Sequence, residues 1–403
     1  MATWTDGSAL LCCVAKNSHK LNLNDNTVSE IWNSDHFKEA RVKMLNGEKV
    51  SACESCYKEE AVGIRSHRIN ENNLWIKKLG QEKIDSLIEA TDVDGTLNED
   101  LVTLDFRLGN TCNLQCVMCR PQDSSMWLNN AKKLKDILET EAKWDWQHKA
   151  DIDTTRFDWY KNEKLWADFN GMFSNIRHII FAGGEPLLIK EHLRLIKKLV
   201  ESGHSKNIEL RYHTNGTTLT EEIIDLWKEF KFVELMVSID AWGKHHDYVR
   251  YPADWQQIIT NLNRLDNTPD NIDVKILATI HAMNIYYIPD FATELLKQDF
   301  KKIGKLHHEG LFHAGTVHWP RYLNIQIFPQ CIKHKIREKW ESYIELNKNY
   351  QWTSKIKSQL EFMDSEDHSD LFLQYIDYID KLDKIRHTDF SKVFPEFKDI
   401  LDG

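Results

Sequence analysis

The chain has 403 residues, enough for one large core or two ordinary domains, and its 16 Gly and 8 Pro disfavour a fibrous or disordered protein. The net charge of −10 disfavours general binding to nucleic acid or anionic membranes, and no apolar run approaches the length of a membrane span. Residues 1–7 carry no basic segment ahead of the short apolar stretch that follows, so we expect no signal peptide and a cytoplasmic location.

The cysteines are unevenly distributed along the chain. Seven of the eight fall into three tight sets, which are Cys12–Cys13, Cys53–Cys56 and Cys112–Cys116–Cys119. A reducing compartment disfavours a disulfide framework, and clustered thiols there indicate metal binding. Cys331 stands alone, and we expect it to be a buried apolar thiol.

The first 70 residues are predicted to form a separate unit. Residues 29–46 show the apolar spacing of a helix, and Gly47 provides a stop signal. The Cys53–Cys56 pair follows shortly after this helix. Residues 71–100 are mixed in charge and are predicted to be a partly helical connector.

From residue 101 onward, short apolar runs alternate with helical patterns. The predicted strands are 102–108, 176–182, 208–213, 233–239 and 274–280, with a sixth candidate at 323–328. The predicted helices cover 189–202, the segments capped by Thr220 and Asp254, and the segment that Pro289 opens and that ends near residue 298. This alternation predicts an α/β fold with a parallel sheet, and about six units fit a partial (β/α)6 barrel better than a closed eight-fold barrel.

Two segments depart from the alternation. Residues 123–170 are an insertion between the first two strands, and they contain Trp127, Trp144, Trp146, Trp159 and Trp166. These aromatic residues either clamp a peptide or a sugar, or form the core of a lid. Residues 331–403 are predicted to be a charged helical extension that follows a barrel of residues 101–330.

The loop after the first predicted barrel strand has the spacing C-x3-C-x2-C, formed by Cys112, Cys116 and Cys119. Three thiolates at this spacing can hold one corner of a four-iron cluster and leave one iron open to a cofactor or substrate. A zinc site or a redox loop is the alternative, although zinc sites usually pair two-cysteine knuckles and need a fourth ligand.

The second predicted strand leads directly into Gly183, Gly184, Glu185 and Pro186. Two glycines allow a ligand to approach the backbone closely, and the start of the following helix can receive a polar or anionic group. Active sites of such folds lie at the carboxyl ends of the strands. The alternative for this segment is a plain turn between strand and helix.

Residues 112–119, with the sequence Cys-Asn-Leu-Gln-Cys-Val-Met-Cys, and residues 183–186 together resemble the radical SAM superfamily over about residues 101–330. The resemblance implies that the three cysteines hold a [4Fe–4S] cluster and that its open iron binds the amino and carboxylate groups of S-adenosylmethionine. Residues 183–186 are then expected to contact the methionine amino group. Met118 stands where most members carry an aromatic residue beside the cofactor, and its polarizable side chain suits the same packing role.

The same resemblance suggests further cofactor contacts at the later strand ends. Thr214, Asn215, Ser238 and Asp240 are expected near the ribose or the substrate, and Arg250 is expected to meet the cofactor carboxylate. Capping or turn roles are the alternative for each residue. The implied activity is one-electron reduction of the cofactor, served by a reductase such as flavodoxin or ferredoxin, to a 5′-deoxyadenosyl radical that abstracts hydrogen from a substrate.

Residues 29–47, followed by Cys53 and Cys56, resemble the SPASM/twitch auxiliary domains, which bind an additional iron–sulfur cluster. This domain precedes the barrel here, whereas in many relatives it follows it. Neighbouring side chains of an extended chain diverge, so Cys12 and Cys13 are not expected to bind one cluster together. Cys13 is the expected partner of Cys53 and Cys56, Cys12 remains a possible ligand, and zinc is the alternative metal.

The leading hypothesis is an enzyme that modifies a peptide or protein by hydrogen abstraction. Oxidation or rearrangement of a small polar metabolite, such as a sugar or an aminoglycoside precursor, remains the alternative within the same chemistry. A non-catalytic iron–sulfur sensor or electron-transfer protein is a different class, and the combination of the three-cysteine loop with residues 183–186 argues against it. A zinc-stabilised binding protein is the third class.

Overall fold

The computed structural model describes residues 1–16, 19–99, 101–138, 153–304, 311–348 and 352–402. Contacts divide the chain into two compact units, each built from segments distant in sequence. Unit 1 comprises residues 1–110, 153–211 and 229–231, and unit 2 comprises 111–152, 212–228 and 232–403. The domain boundaries expected from the sequence, 1–70, 71–100, 101–330 and 331–403, stay a prediction.

The described strands form one mixed sheet with the order β2-β1-β3-β4-β5-β6-β7-β8. The pairs β1–β3, β3–β4, β6–β7 and β7–β8 are parallel, and β1–β2 is antiparallel. Strands β3 to β8 follow one another in chain order and β8 lies at an edge, so the predicted open α/β arrangement is confirmed. The strands β1 to β8 are Ala2–Thr3, Ala9–Leu10, Thr103–Arg107, His178–Ala182, Glu209–Thr214, Phe232–Ser238, Ile272–Ile280 and His313–Thr316.

Seventeen α-helices lie in the described residues, and Thr220 and Asp254 cap α9 and α11 through side-chain hydrogen bonds, as predicted. None of these helices is long and apolar enough to cross a membrane. The helices of unit 1 are α1 Val28–Trp32, α2 Asp35–Leu45, α3 Glu54–Ala61, α4 His67–Leu79, α5 Gln81–Glu89, α7 Glu163–Asn170 and α8 Lys190–Glu201. Those of unit 2 are α6 Trp127–Leu138, α9 Glu221–Trp227, α10 Lys244–Val249, α11 Trp255–Asp266, α12 Ile288–Lys297, α13 Gln330–Leu346, α14 Trp352–Ser365, α15 Phe372–Arg386, α16 Phe390–Val393 and α17 Pro395–Asp402.

The predicted sixth strand at 323–328 is wrong. Short 3-10 turns form at Arg321–Leu323 and Ile325–Ile327, and the sixth strand of the α/β series is His313–Thr316. The Asn324 side chain accepts a hydrogen bond from the backbone N–H of Gln326, which favours a turn over extended backbone. A short, fully buried apolar run has the same composition in a strand and in a buried turn, so periodicity could not separate the two.

The predicted helix over 29–46 is interrupted. It divides into α1 and α2 at Asn33 and Ser34, whose polar side chains favour the ends of helices over their interiors. Ile31 and Phe37 are buried as expected, whereas Met44 at the end of α2 is 46% exposed.

Cys331 is exposed, which corrects the expected buried thiol. It lies in the first turn of α13, whose buried side includes Ile332 and Ile336. Cys331 therefore lies on the exposed side of α13.

The tryptophans of the insertion are mostly core residues. Trp127, Trp159 and Trp166 are buried, and each indole N–H donates to a backbone carbonyl, at Cys116, Thr5 and Tyr160 respectively, over distances of 3.0, 3.1 and 2.6 Å. Satisfied indoles in the interior indicate a packing role for these three rather than a substrate clamp. Trp144 and Trp146 lie outside the described residues.

The C-terminal extension offers a matched pair of leucines on α15. Leu382 is fully buried and Leu373 is 78% exposed. We expect Leu382→Ala to lower the free energy of unfolding by about 2–5 kcal/mol, because it removes buried methyl groups and leaves a cavity. Leu373→Ala is the control and should leave the urea unfolding curve almost unchanged; equal effects of the two variants would contradict the packing of α15 described here.

Candidate functional site

The loop of residues 112–119 follows β3 in the chain and contains three cysteine thiols. Cys116 is 8% exposed, and Cys112 and Cys119 are half-buried. Burial raises the pKa of Cys116 and, together with Asp123 and the Cys116 and Cys112 thiols, raises the pKa of Cys119 well above its usual value. The three predicted cluster ligands therefore lie close enough to interact with one another.

A single metal ion and a multi-iron cluster make different demands on these three thiols. No group of three or more His, Cys, Asp or Glu residues in the described part of the chain converges on a position for one metal ion. Ligands of one zinc ion all lie about 2.0–2.3 Å from it, whereas the ligands of a cubane bind separate irons and stand farther apart. Three neighbouring thiols at this spacing can bind three irons of a four-iron cluster and leave the fourth iron open.

The backbone of the loop is held by the segment that follows α10. The N–H groups of Gln115 and Val117 donate to the carbonyls of Tyr251 and Val249, over 2.5 and 2.8 Å. These two bonds fix the chain on either side of Cys116. The position of the buried thiol therefore depends on residues that are more than a hundred positions away in sequence.

Arg250 links the loop to a buried carboxylate. Its Nη1 lies 3.7 Å from the Cys116 Sγ, and its Nε donates to the Asp240 Oδ2 over 2.7 Å. Burial opposes the charge on Arg250, but Asp240 and Cys116 outweigh it, so the pKa of the guanidinium rises. The other Asp240 oxygen accepts the Thr279 N–H over 2.7 Å. Arg250 thus lies beside Cys116, a predicted cluster ligand, and Asp240 lies beside Arg250.

Two buried histidines lie near this ion pair and stay neutral at pH 7. Burial lowers the pKa of His246 to about 3 and that of His281 to about 4. Neither ring nitrogen of His246 has a hydrogen-bond partner within the described chain. These two histidines therefore add no positive charge beside Asp240 and Arg250.

Asn215 contacts the cluster loop directly. Its Nδ2 lies 3.9 Å from the Cys112 Sγ and donates to the Asn113 Oδ1 over 2.9 Å. Its Oδ1 accepts the Thr217 N–H over 2.9 Å, so the residue also stabilises a turn. Thr214 is buried and its hydroxyl accepts the Gly216 N–H, a hydrogen bond typical of a turn. Ser238 ends β6, and Met118 is half-buried in the loop.

Residues 183–186 pack against the end of β3 within unit 1. Gly183 has φ +115°, and a Cβ there would lie 2.8 Å from the carbonyl oxygen of Gly109, so only glycine fits. The Gly184 N–H donates to that same carbonyl over 3.1 Å. The fully buried Glu185 caps the 3-10 turn that begins at Pro186. Gly109 precedes Cys112 by three residues, so this segment contacts the residues that lead into the cluster loop.

The amino-terminal thiols separate into two environments. Cys12 packs against the apolar cluster that contains Cys53, and its pKa is raised first by burial and also by Cys56. The pKa of Cys53 is raised by burial, then by Cys12 and Cys56. Cys12 therefore lies with the Cys53–Cys56 pair, where the sequence favoured Cys13.

Cys13 faces a polar environment. Burial, followed by Asp105 and Cys12, raises its pKa to about 11, and its Sγ lies 3.6 Å from the His67 Nε2. Cys12 and Cys13 lie in a turn closed by a hydrogen bond from the Ala15 N–H to the Cys12 carbonyl over 3.1 Å, so the turn, and not an extended chain, directs the two side chains to different neighbours.

Several residues at these sites carried no signal in the sequence. Arg386 and Tyr378 contact the cluster loop from 271 and 261 residues away, and His67 reaches Cys13 from 54 residues away. Helical periodicity could place these residues on helices, but it could not identify which loop they contact. Only the tertiary structure reveals them.

Comparisons with known proteins match both regions. Residues 106–280 match the Radical SAM superfamily, and residues 4–57 match SPASM, an iron–sulfur cluster-binding domain, at the amino terminus as predicted. The first range contains the three-cysteine loop and residues 183–186, and the second contains the four amino-terminal cysteines. The radical SAM domain implies a [4Fe–4S] cluster and S-adenosylmethionine, and the SPASM domain implies an additional iron–sulfur cluster.

Individual relatives are distant. GTP 3′,8-cyclases of two Corynebacterium glutamicum strains are 27% and 26% identical to this chain over 188 residues. These residues are 46% of this chain and 41% of each cyclase, so the chain spans less than half the length of these relatives. Native anSMEcpe with bound AdoMet and Cp18Cys peptide aligns over 62% of this chain and 61% of its own, with 16% identity and a TM-score of 0.36. Streptococcus suis SuiB bound to precursor peptide SuiA aligns over 77% and 64%, with 12% identity and a TM-score of 0.36.

The buried pair of Asp240 and Arg250 has a testable energetic consequence. Asp240→Asn leaves the buried Arg250 cation without its counter-charge, and we expect the free energy of unfolding of the metal-free protein to fall by about 3–5 kcal/mol. Asp225→Asn, which breaks an exposed ion pair with Lys228, is the control and should have little effect in the same urea titration. If the two variants are equally stable, Asp240 does not balance a buried charge.

Proposed function

The chain belongs to the radical SAM superfamily and carries an amino-terminal SPASM domain, and on this premise we propose that it cleaves S-adenosylmethionine reductively to abstract hydrogen from a peptide or protein. The observation that carries the proposal is the set of three neighbouring thiols, at Cys112, Cys116 and Cys119, on one loop after a sheet strand. The glycine segment at 183–186, packed on the residues that enter this loop, supports it.

The protein's own residues have distinct roles in this proposal. Cys112, Cys116 and Cys119 hold the [4Fe–4S] cluster, which with bound S-adenosylmethionine supplies a 5′-deoxyadenosyl radical. Residues 183–186 would bind the methionine amino group, and Arg250 would bind the cofactor carboxylate. Asp240 holds the Arg250 guanidinium in place through a hydrogen bond. The buried surroundings of Cys116 exclude water from the reacting atoms.

Further cofactor contacts are proposed at the ends of β5 and β6. Asn215 lies beside Cys112 and is the best supported of these, because its Nδ2 faces the thiol. Thr214 and Ser238 are proposed near the ribose or the substrate, and Met118 is proposed to pack beside the cofactor.

For the auxiliary site, we propose an iron–sulfur cluster on Cys12, Cys53 and Cys56. The packing of Cys12 against Cys53 favours it over Cys13, which contacts His67 instead. A reductase such as flavodoxin or ferredoxin is the proposed electron donor, and the reducing cytoplasm is the proposed location, because both clusters need reduced thiols.

The substrate class divides into two candidates. The SPASM/twitch domain of this chain resembles the auxiliary cluster domains of peptide-modifying enzymes. This resemblance favours a peptide or protein as the substrate. The match to GTP 3′,8-cyclases favours a small polar metabolite as the second candidate. An assay with S-adenosylmethionine, dithionite and a peptide encoded next to the gene separates them, since only the first candidate changes the mass of the peptide.

Cysteine variants test the separate roles of the two cluster sites. In anaerobically reconstituted protein reduced with dithionite, we expect Cys116→Ala to abolish formation of 5′-deoxyadenosine, because it removes a ligand of the reactive cluster. Cys53→Ala should retain some formation uncoupled from substrate, measured by liquid chromatography. Complete and equal loss in both variants would count against independent roles.

Glycine variants test the proposed binding segment. Gly183→Ala should weaken S-adenosylmethionine binding at least about tenfold in equilibrium dialysis, because the added Cβ displaces the turn from Gly109. Gly203→Ala is the control: its φ is also positive, at +75°, but no atom lies within 4 Å of the added Cβ. Unchanged binding by the Gly183 variant, or equal weakening in both, would remove this segment from the site.

A further inference from the structure

Side chains donate hydrogen bonds to the carbonyl groups of the cluster loop, and the Cys116 carbonyl also accepts the backbone N–H of Cys119 over 2.9 Å. Four successive carbonyls, at residues 114–117, accept hydrogen bonds in this way. Ser124 Oγ donates to Leu114 over 2.6 Å, and Trp127 Nε1 donates to Cys116 over 3.0 Å. All of these bonds lie within unit 2, and the groups involved are buried.

The other two donors come from the carboxyl-terminal helix α15. Tyr378 donates its hydroxyl to the Val117 carbonyl over 2.8 Å, and Arg386 donates from Nη2 to the Gln115 carbonyl. This helix lies outside residues 106–280, which match the Radical SAM superfamily. The extension of this chain therefore places two donors on the residues that flank Cys116.

Arg386 is a buried cation that forms no ion pair with any carboxylate of the described residues. The residue is 5% exposed, and its Nε and Nη1 make no hydrogen bond to any described residue. Its guanidinium lies over the rings of Trp127 and Tyr251, with centroid distances of 5.0 and 5.2 Å. Burial lowers its pKa, as expected where no neighbouring carboxylate favours the charge. A buried charge of this kind destabilises a protein unless an anion balances it.

Arg250, the other guanidinium near Cys116, has its own counter-charge in Asp240. Arg386 has no equivalent among the described residues, yet it is close enough to the Cys116 thiol to interact with it electrostatically. A cluster bound by three thiolates is anionic, and it becomes more negative by one charge on reduction. The loaded cluster therefore supplies the anion that this cation lacks.

We propose that Arg386 is the buried counter-cation of the cluster on Cys112, Cys116 and Cys119, and that it raises the reduction potential of that cluster. This inference rests on the proposed function. Arg386 acts as a positioning and electrostatic residue: it holds the Gln115 carbonyl, and its charge stabilises the reduced cluster more than the oxidised one. Net charge near a cluster and hydrogen bonds around it are recognised determinants of its potential.

The test is a redox titration of the reconstituted protein, followed by electron paramagnetic resonance on the signal that responds to added S-adenosylmethionine. Arg386→Gln should lower the midpoint potential so that, at a fixed potential, the ratio of reduced to oxidised cluster falls about tenfold, which corresponds to about 59 mV for one electron. Arg386→Lys should restore most of the shift, because it returns the charge.

Two control variants separate charge from structure. Tyr378→Phe removes a neutral hydrogen bond from the same helix to the same loop, and Lys392→Gln removes an exposed charge from the same extension. Tyr378→Phe should shift the potential much less than Arg386→Gln does, because no charge is lost, and Lys392→Gln should keep the wild-type potential. An equal shift in Tyr378→Phe, or a Lys variant that resembles Gln, would overturn the electrostatic role and leave a purely structural one.

Failure to assemble the cluster also has a defined meaning. Loss of assembly in Arg386→Gln but not in Arg386→Lys supports the counter-charge, since only the charge differs in kind, whereas loss in both variants contradicts it. If wild-type protein itself takes up no iron and sulfide, the proposed function fails; if it does and the potentials are unchanged, only this inference fails.

Discussion

The structure around the cluster loop depends on one constraint: an irregular segment that holds an anionic cluster must be buried without secondary structure of its own. Buried backbone groups that lack partners are costly, and so are buried charges. Residues 114–117 meet the first requirement through side-chain donors and through the carbonyls of Val249 and Tyr251. Arg250 and Arg386 address the second, since both guanidinium groups lie close enough to the Cys116 thiol to favour its charged form.

The two compact units contain different parts of the candidate sites. Unit 1 contains residues 183–186 and the amino-terminal thiols. Of these thiols, Cys12 packs against Cys53, and Cys13 contacts His67. Unit 2 contains the cluster loop together with the extension that supplies Tyr378 and Arg386. One of the carboxyl-terminal helices, α15, thus contacts the backbone beside Cys116.

Local patterns predicted much of this from the sequence. Cysteine spacing, the glycine segment, five of the strands and the caps at Thr220 and Asp254 were visible because each depends on residues close together in the chain. The buried turns at 321–327 were mistaken for a strand, because a short apolar run does not distinguish the two. The different environments of Cys12 and Cys13 depend on packing between distant segments, and so do the contacts of Arg386. No local sequence pattern encodes such packing.

The central claim is a four-iron cluster whose open iron binds S-adenosylmethionine. The most direct measurement is electron paramagnetic resonance of the anaerobically reconstituted, reduced protein with and without S-adenosylmethionine labelled with 15N at its amino group. The account predicts a [4Fe–4S] signal that changes on addition and shows hyperfine coupling to the labelled nitrogen. A signal that does not change when S-adenosylmethionine is added would contradict this claim, and so would protein that binds zinc in place of iron and sulfide.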